Sequence, residues 1–359
     1  MKNLASLLLI ACCVTMASCG SDYKLTVYFP NHDFDGKKAY LTNYDTGDTI
    51  DSVNVFEKQL LMEGNVDTAY FARLLFEDNR LDLVIEQGEI EVEWGVKLNI
   101  SGTPLNIKFN RLVKQLERYD VEWQQIARSL QQEEITESEA QQQEDERKTK
   151  LLKSLYNNYL SNKDNVIGEW CFIQYIIEGD FTSSELKLLL KKVPEQYRRL
   201  ERVKNALKNA EAKEKTGEGQ RFVDFDVLGN NGVTEKLSQY AGDGINYTLV
   251  YFMASWCSSC RKEIEGPLTY LYENYKEKGL KIVGVAVWDK PADTNAAIAE
   301  MSIPWHVMVG DHYMTAPADS YGIAGIPYAI VVAPDGTILN RGLNGDALIK
   351  AVEAQFVNR

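Results

Sequence analysis

The chain has 359 residues, enough for about two or three domains of ordinary size. Hydrophobic residues make up 45% and charged residues 25%, which excludes collagen-like, wholly disordered and polytopic membrane classes. Acidic residues outnumber basic ones by 52 to 39, a formal charge of −13, so nothing attracts a phosphate backbone and nucleic acid is not an expected partner.

Lys2 precedes a short apolar run over 4–14, well below the ~20 residues that a spanning helix needs. The pattern reads as a cleaved export signal over 1–19. Its end, Met16-Ala17-Ser18-Cys19, resembles a bacterial lipobox, with Met in place of Leu as a mild departure. That resemblance implies cleavage before Cys19 and lipid on its thiol, hence a membrane-anchored protein of the cell envelope facing the periplasm. The alternative is an ordinary signal peptide with an incidental Cys. Besides Cys19, the mature chain keeps only Cys171, Cys257 and Cys260.

Over 20–104 the sequence shows short strand-like alternations at 24–29, 38–42, 69–74 and 90–94, separated by turn formers such as Asp35-Gly36 and Thr46-Gly47-Asp48. This spacing predicts a small antiparallel β domain, closed by Ile100-Ser101-Gly102-Thr103-Pro104-Leu105-Asn106. The arrangement resembles the β domain of unknown function (DUF4369-like) that precedes thioredoxin modules in many Bacteroidota envelope proteins. It carries no reactive constellation.

From 105 to 217 the period becomes helical: Phe109, Leu112, Val113, Leu116, Tyr119 and Trp123 recur at three- and four-residue steps. The acidic, Gln-rich stretch over 131–150 reads as a solvated helix or a mobile connector. Further helices are predicted at 151–160, 168–177 and 184–193, the last capped by Thr182, Ser183 or Ser184 and ended by Pro194. Cys171 lies in the apolar Trp170-Cys171-Phe172-Ile173 and reads as a packed core residue. The Lys-, Glu- and Gly-rich stretch over 209–219 reads as a linker.

Over 218–359 apolar strands at 246–255, 280–288, 305–309 and 328–332 alternate with helices near 257–278, 292–301 and 346–356. Asp335-Gly336 marks a hairpin near the end. This α/β order is that of a thioredoxin fold. The decisive motif is Trp256-Cys257-Ser258-Ser259-Cys260, placed after an apolar strand and opening a helix. Two Cys at that spacing can close a disulfide within one turn. The helix N-terminus favours a thiolate on Cys257, the exposed first Cys, while the shielded Cys260 suits resolution of a mixed disulfide. A lone Cys-x-x-Cys is also half of a zinc site. Here no second pair exists and His32, His306 and His312 show no ligand spacing, so zinc is not expected, and dithiol exchange needs neither a metal nor an organic cofactor.

Residues 218–359 resemble the ResA/TlpA-type thiol:disulfide oxidoreductases of the thioredoxin superfamily, within the AhpC/TSA-Redoxin-like domains. The resemblance rests on the Cys motif with its flanks (Phe252 to Glu263), Gly279-Leu280-Lys281-Ile282-Val283-Gly284-Val285, Gly325-Ile326-Pro327 and Pro334-Asp335-Gly336. It implies a redox disulfide between Cys257 and Cys260, and a cis bond before Pro327. Trp256, Ile326 and Pro327 are then the residues that meet substrate, by strand addition at Ile326. Glu263, three residues after Cys260, holds the family's proton-transfer position; alternatively it is an exposed helical Glu. The implied clients are protein thiols and disulfides. Electrons are expected from a membrane thiol carrier, as in relatives acting in cytochrome c maturation. Ser258 and Ser259 between the cysteines carry no positive charge, and Glu263 and Glu265 offset Arg261 and Lys262, so a reductant or an isomerase-like exchanger is expected rather than a strong oxidant.

Two positions depart from the pattern. Tyr251 stands where thioredoxin has a buried Asp. Glu265 replaces a helix proline, with Pro267 two residues on, which predicts a shifted kink. Two other functions compete. A peroxiredoxin-like peroxidase needs Thr or Ser where Ala254 stands. A partner-binding lipoprotein would use the redox module only secondarily.

Overall fold

The computed structural model describes residues 22–229 and 231–357. The export signal and Cys19 lie outside the described residues. The chain divides into two compact units between Glu178 and Gly179.

The first unit opens with eight strands: β1 Asp22–Tyr28, β2 Lys38–Asn43, β3 Thr49–Asn54, β4 Gln59–Asn65, β5 Tyr70–Phe76, β6 Asn79–Ile85, β7 Gly88–Glu93 and β8 Asn99–Ser101. They form two four-stranded sheets, ordered β4-β1-β7-β8 and β3-β2-β5-β6. Pairing is antiparallel as expected, except that β1 and β7 run parallel, setting Leu25 beside Ile90 and Val27 beside Val92. Those four side chains are fully buried, together with Leu41, Leu74 and Leu83. Burial of each contributes about 1.5–3 kcal/mol.

The Ser-Gly-Thr-Pro-Leu-Asn stretch is the joint between sheet and helix. Gly102 has φ +93°, and a Cβ there would fall 2.0 Å from the Glu89 carbonyl oxygen, so no other residue fits. Thr103 is the N-cap of α1 (Pro104–Gln131), whose first residue is the proline. The Glu86 carboxylate accepts the N–H groups of Leu105 (2.7 Å) and Asn106 (3.1 Å), filling the orphan donors of that helix start. Asn106 is fully buried; its amide accepts from Val84 N–H and donates to Val84 C=O and the Thr103 hydroxyl.

Helix α2 (Glu137–Ser161) starts in a capping box between Thr136 and Glu139. The polar stretch over 131–150 is therefore a turn followed by the solvated part of a helix. Helix α3 (Val166–Gly179) buries Cys171 completely, as its apolar setting predicts, and burial pushes that thiol up to about 12.

The second unit begins with α4 (Ser183–Leu190), α5 (Glu195–Arg199) and α6 (Glu201–Lys215). Thr182 caps α4, and Ser183 donates through both N–H and hydroxyl to the Glu214 carboxylate on α6, each at 2.7 Å. The stretch over 209–219, expected as a linker, is instead helical through Lys215. Its Lys and Glu side chains serve the solvent face, while Val203 and Ala210 are buried. Its last carbonyls are taken up by the Arg341 guanidinium, a partner that local sequence does not reveal.

Then follow β9 (Asp226–Leu228) with β10 (Thr234–Lys236), β11 (Tyr247–Met253), α7 (Ser258–Glu263), a π-helical turn over Ile264–Leu268 and α8 (Thr269–Tyr275). The chain continues through β12 (Leu280–Ala286), α9 (Pro291–Glu300), β13 (His306–Met308), α10 (Ala316–Ser320), β14 (Tyr328–Val332), β15 (Ile338–Arg341) and α11 (Gly345–Glu353). The π turn contains Pro267, which cannot donate to the helix ladder, so the irregularity of the helix falls at this proline.

The central sheet has order β13-β12-β11-β14-β15, parallel across its first three strands and antiparallel in its last two, the expected α/β arrangement. Strand β11 carries a continuous hydrophobic run over 249–253 because both of its faces are covered. Val250 and Phe252 face Phe225, Tyr321 and Ile330. Leu249, Tyr251 and Met253 face Ile264, Leu268, Leu271 and Leu348.

Candidate active site

The carboxyl end of β11 delivers Ala254, Ser255 and Trp256 to the start of α7, the edge at which open α/β sheets gather their reactive groups. Cys257 is the N-cap, with extended backbone (φ −82°, ψ 101°), and its Sγ accepts the N–H of Cys260 at 3.1 Å. Cys257 and Cys260 are joined as a disulfide with Cα atoms 5.2 Å apart. The first Cys is less open than expected: Cys257 is only 5% exposed and Cys260 is fully buried. Both belong to the apolar cluster that includes Met253, Ala254 and Leu268.

Trp256 is 63% exposed, and its indole N–H donates to the Trp288 carbonyl at 2.8 Å. The Ile326-Pro327 peptide is cis, and Ile326 packs against the cluster that holds both cysteines. Glu263 is not a free surface carboxylate. It is half-buried, and both its oxygens accept the N–H of Gly345, at 3.0 and 3.1 Å, at the start of α11. Its charge also reaches Tyr251, whose phenol is pushed up chiefly by burial and further by Glu263. The Tyr251 hydroxyl donates to the Cys260 carbonyl at 3.2 Å.

One buried carboxylate that motif reading does not single out organises the approach to Cys257. Asp289, 7% exposed, accepts the Ser255 N–H at 2.5 Å, the Ser255 hydroxyl at 3.0 Å, the Lys290 N–H at 2.9 Å and the Thr294 hydroxyl at 2.8 Å. Ser255 in turn offers its carbonyl to Arg261 Nε at 3.1 Å, and Arg261 pairs with Glu300. The positive charge nearest the cysteines in sequence is thus engaged away from sulfur. The available signal for Asp289 is its position: an acid just past an apolar strand and before the Lys290-Pro291 helix start. Among the described residues no group of three or more His, Cys, Asp or Glu could hold a metal ion, and no helix is long and apolar enough to cross a membrane.

Comparison with known proteins matches residues 219–341 to the AhpC/TSA family and residues 23–109 to a domain of unknown function, DUF4369. The thiol:disulfide interchange protein HelX of Rhodobacter capsulatus is 33% identical over 108 residues, 29% of this chain and 58% of that protein. CycY of Rhizobium leguminosarum bv. viciae, also a thiol:disulfide interchange protein, is 36% identical over 92 residues, 26% of this chain and 47% of that protein. The chain thus spans about half the length of these curated relatives. Among solved structures, the thioredoxin domain of a Bacteroides vulgatus thiol-disulfide oxidoreductase is 31% identical, with 40% of this chain and 99% of that one covered, at a TM-score of 0.34.

Proposed function

We propose that this chain, which carries an AhpC/TSA-type thioredoxin-family domain at 219–341 behind a DUF4369 domain at 23–109, is a thiol:disulfide oxidoreductase acting on client proteins through Cys257 and Cys260. The observation that carries the reading is the disulfide at the start of α7, with an N–H aimed at Cys257 Sγ and Ile326 packed alongside.

In the reduced protein the Cys257 thiolate attacks one sulfur of a client disulfide, and the client's second sulfur leaves as a thiolate. Cys260, deprotonated, then attacks Cys257 Sγ, which releases the client dithiol and forms the Cys257–Cys260 disulfide. Two electrons pass to the client in all. The Cys260 N–H and the start of the helix favour the attacking thiolate. Trp256, Ile326 and Pro327 meet the client, with the Ile326 backbone pairing to an extended segment. A membrane thiol carrier resupplies the electrons, and Cys19 anchors the protein by lipid on the periplasmic side. Cytochrome c maturation is the process that the family resemblance suggests.

Glu263 is assigned two roles, N-terminal partner of α11 and proton acceptor for the thiols. Glu263→Gln keeps an oxygen for Gly345, so urea unfolding should show a loss of no more than about 1 kcal/mol. Exchange near neutral pH should slow and the thiol titration should move. Rates equal to wild type across about pH 6–9 would leave the helix contact as its whole role.

The direction is reductive. Strong oxidants stabilise the thiolate further with positive charge, whereas here Ser258 and Ser259 offer hydroxyls, Arg261 is engaged with Ser255 and Glu300, and Asp289 adds a buried acid to the same loop. Equilibration of the full chain with glutathione buffers should give a potential nearer the about −270 mV of thioredoxin than the about −120 mV of a dedicated oxidant. A value at the oxidant end would make the protein a disulfide donor.

A further inference from the structure

Arg341, the last residue of β15, makes five hydrogen bonds to four residues. Its Nε donates to the Tyr328 hydroxyl at 2.8 Å and one terminal nitrogen to the Tyr321 carbonyl at 2.8 Å. The other terminal nitrogen donates to the Lys213 carbonyl (3.1 Å), the Thr216 carbonyl (2.8 Å) and the Thr216 hydroxyl (2.7 Å). The first two partners bracket the loop that holds Gly325, Ile326 and Pro327; the rest are the end of α6. Thr216 is fully buried. Ala324 and Gly325, within the loop, are exposed. The loop is thus held from its two ends.

A second contact joins the same two parts. Gly322 has φ +62°, and a Cβ there would lie 2.3 Å from the Asn209 carbonyl oxygen and 2.9 Å from Lys213 N. Backbone of α6 therefore lies directly against the start of the loop, at a distance only glycine permits. A positive group at a helix C-terminus is also favoured by the helix dipole. Only a planar guanidinium can serve both sides at once; a lysine ammonium lacks the fork.

We propose that Arg341 is a positioning residue for client recognition: with α6 as its buttress, it fixes the 321–328 loop so that the Ile326 backbone is presented to a protein substrate. The proposal rests on the reading that this loop pairs with clients. It makes α6, which precedes the redox segment, a working part of the substrate site. Small disulfides, which need no strand pairing, depend on the cysteines but far less on the loop.

The test uses the full chain, reduced and freed of reductant, in single-turnover exchange with insulin as a protein disulfide and glutathione disulfide as a small one. Arg341→Lys should lower the insulin-to-glutathione ratio of kcat/KM on the order of tenfold, mostly through the concentration dependence on insulin, as expected when a positioned segment is loosened. Gly322→Ala, which presses on α6 from the loop side, should lower the same ratio. Tyr328→Phe, which removes one acceptor with little threat to folding, should lower it less. General destabilisation would lower both rates together. A wild-type ratio in Arg341→Lys and Tyr328→Phe, or equal losses on both substrates, overturns the proposal. Wild-type protein inert toward both disulfides overturns the oxidoreductase reading itself.

Discussion

Cys260→Ser protein, expressed in cells, accumulates disulfide-linked adducts with its clients through Cys257. With the resolving sulfur gone, the mixed disulfide has no intramolecular exit. The proposed assignment of roles draws on the geometry of the pair. Cys257 has the only exposure of the pair and receives the Cys260 N–H on its sulfur, whereas Cys260 is fully buried and can meet only a sulfur already brought to Cys257. Background from Cys171 is suppressed, because that thiol is fully buried and pushed up to about 12, so almost none is thiolate near neutrality. Diagonal gels of envelope extracts should show the adducts in Cys260→Ser and lose them when Cys257→Ser is added. Adducts that persist in the double variant would remove Cys257 from the nucleophile role.

Asp289→Ala should destabilise the protein by about 3 kcal/mol, since it strands several donors at once in a covered site. The Ser255 N–H and hydroxyl, the Lys290 N–H and the Thr294 hydroxyl all lose the same acceptor. Asp289→Asn separates charge from shape: it keeps one acceptor oxygen and removes the negative charge from the loop before Cys257. A like charge disfavours a nearby thiolate, so its removal should lower the Cys257 thiol pKa and shift the potential toward the oxidant end. Urea unfolding of the alanine variant and glutathione titration of the asparagine variant read the two effects separately. An alanine variant with the wild-type midpoint would show that the hydrogen bonds carry no stability. An unmoved potential in Asp289→Asn would show that the carboxylate's charge does not reach the sulfur.

What the sequence made legible follows from how local each cause is. Strands β11 and β14 stand out because both faces are covered and the runs 249–253 and 328–332 are unbroken by charged or small polar residues. Helix α4 is visible from Thr182 and Glu185, whose capping box lies within four residues. The Cys motif is legible because its chemistry needs only a strand, a turn and a helix start. Strand β3 is not, since it lies at a sheet edge with no fully buried side chain, so no alternation marks it. The parallel pairing of β1 with β7 depends on a partner some sixty residues on, which no period encodes. Asp289 and Arg341 stayed hidden for the same reason: their partners Ser255 and Lys213 lie 34 and 128 positions away. Helix α6 was masked by its own solvent face, where Lys and Glu give the composition of a linker.

Tyr251 sits beneath the cysteines, buried and uncharged, with its hydroxyl committed to the Cys260 carbonyl. Its phenol is pushed up well beyond the range in which it could give or take a proton near neutrality. Tyr251 thus supplies no proton acceptor below the disulfide, and a proton leaving Cys260 is expected to pass toward Glu263 or directly to solvent. The resolving step should then answer to what the solvent supplies: at fixed pH its rate should climb with the concentration of a small buffer base, and climb more steeply once Glu263 is replaced by Gln.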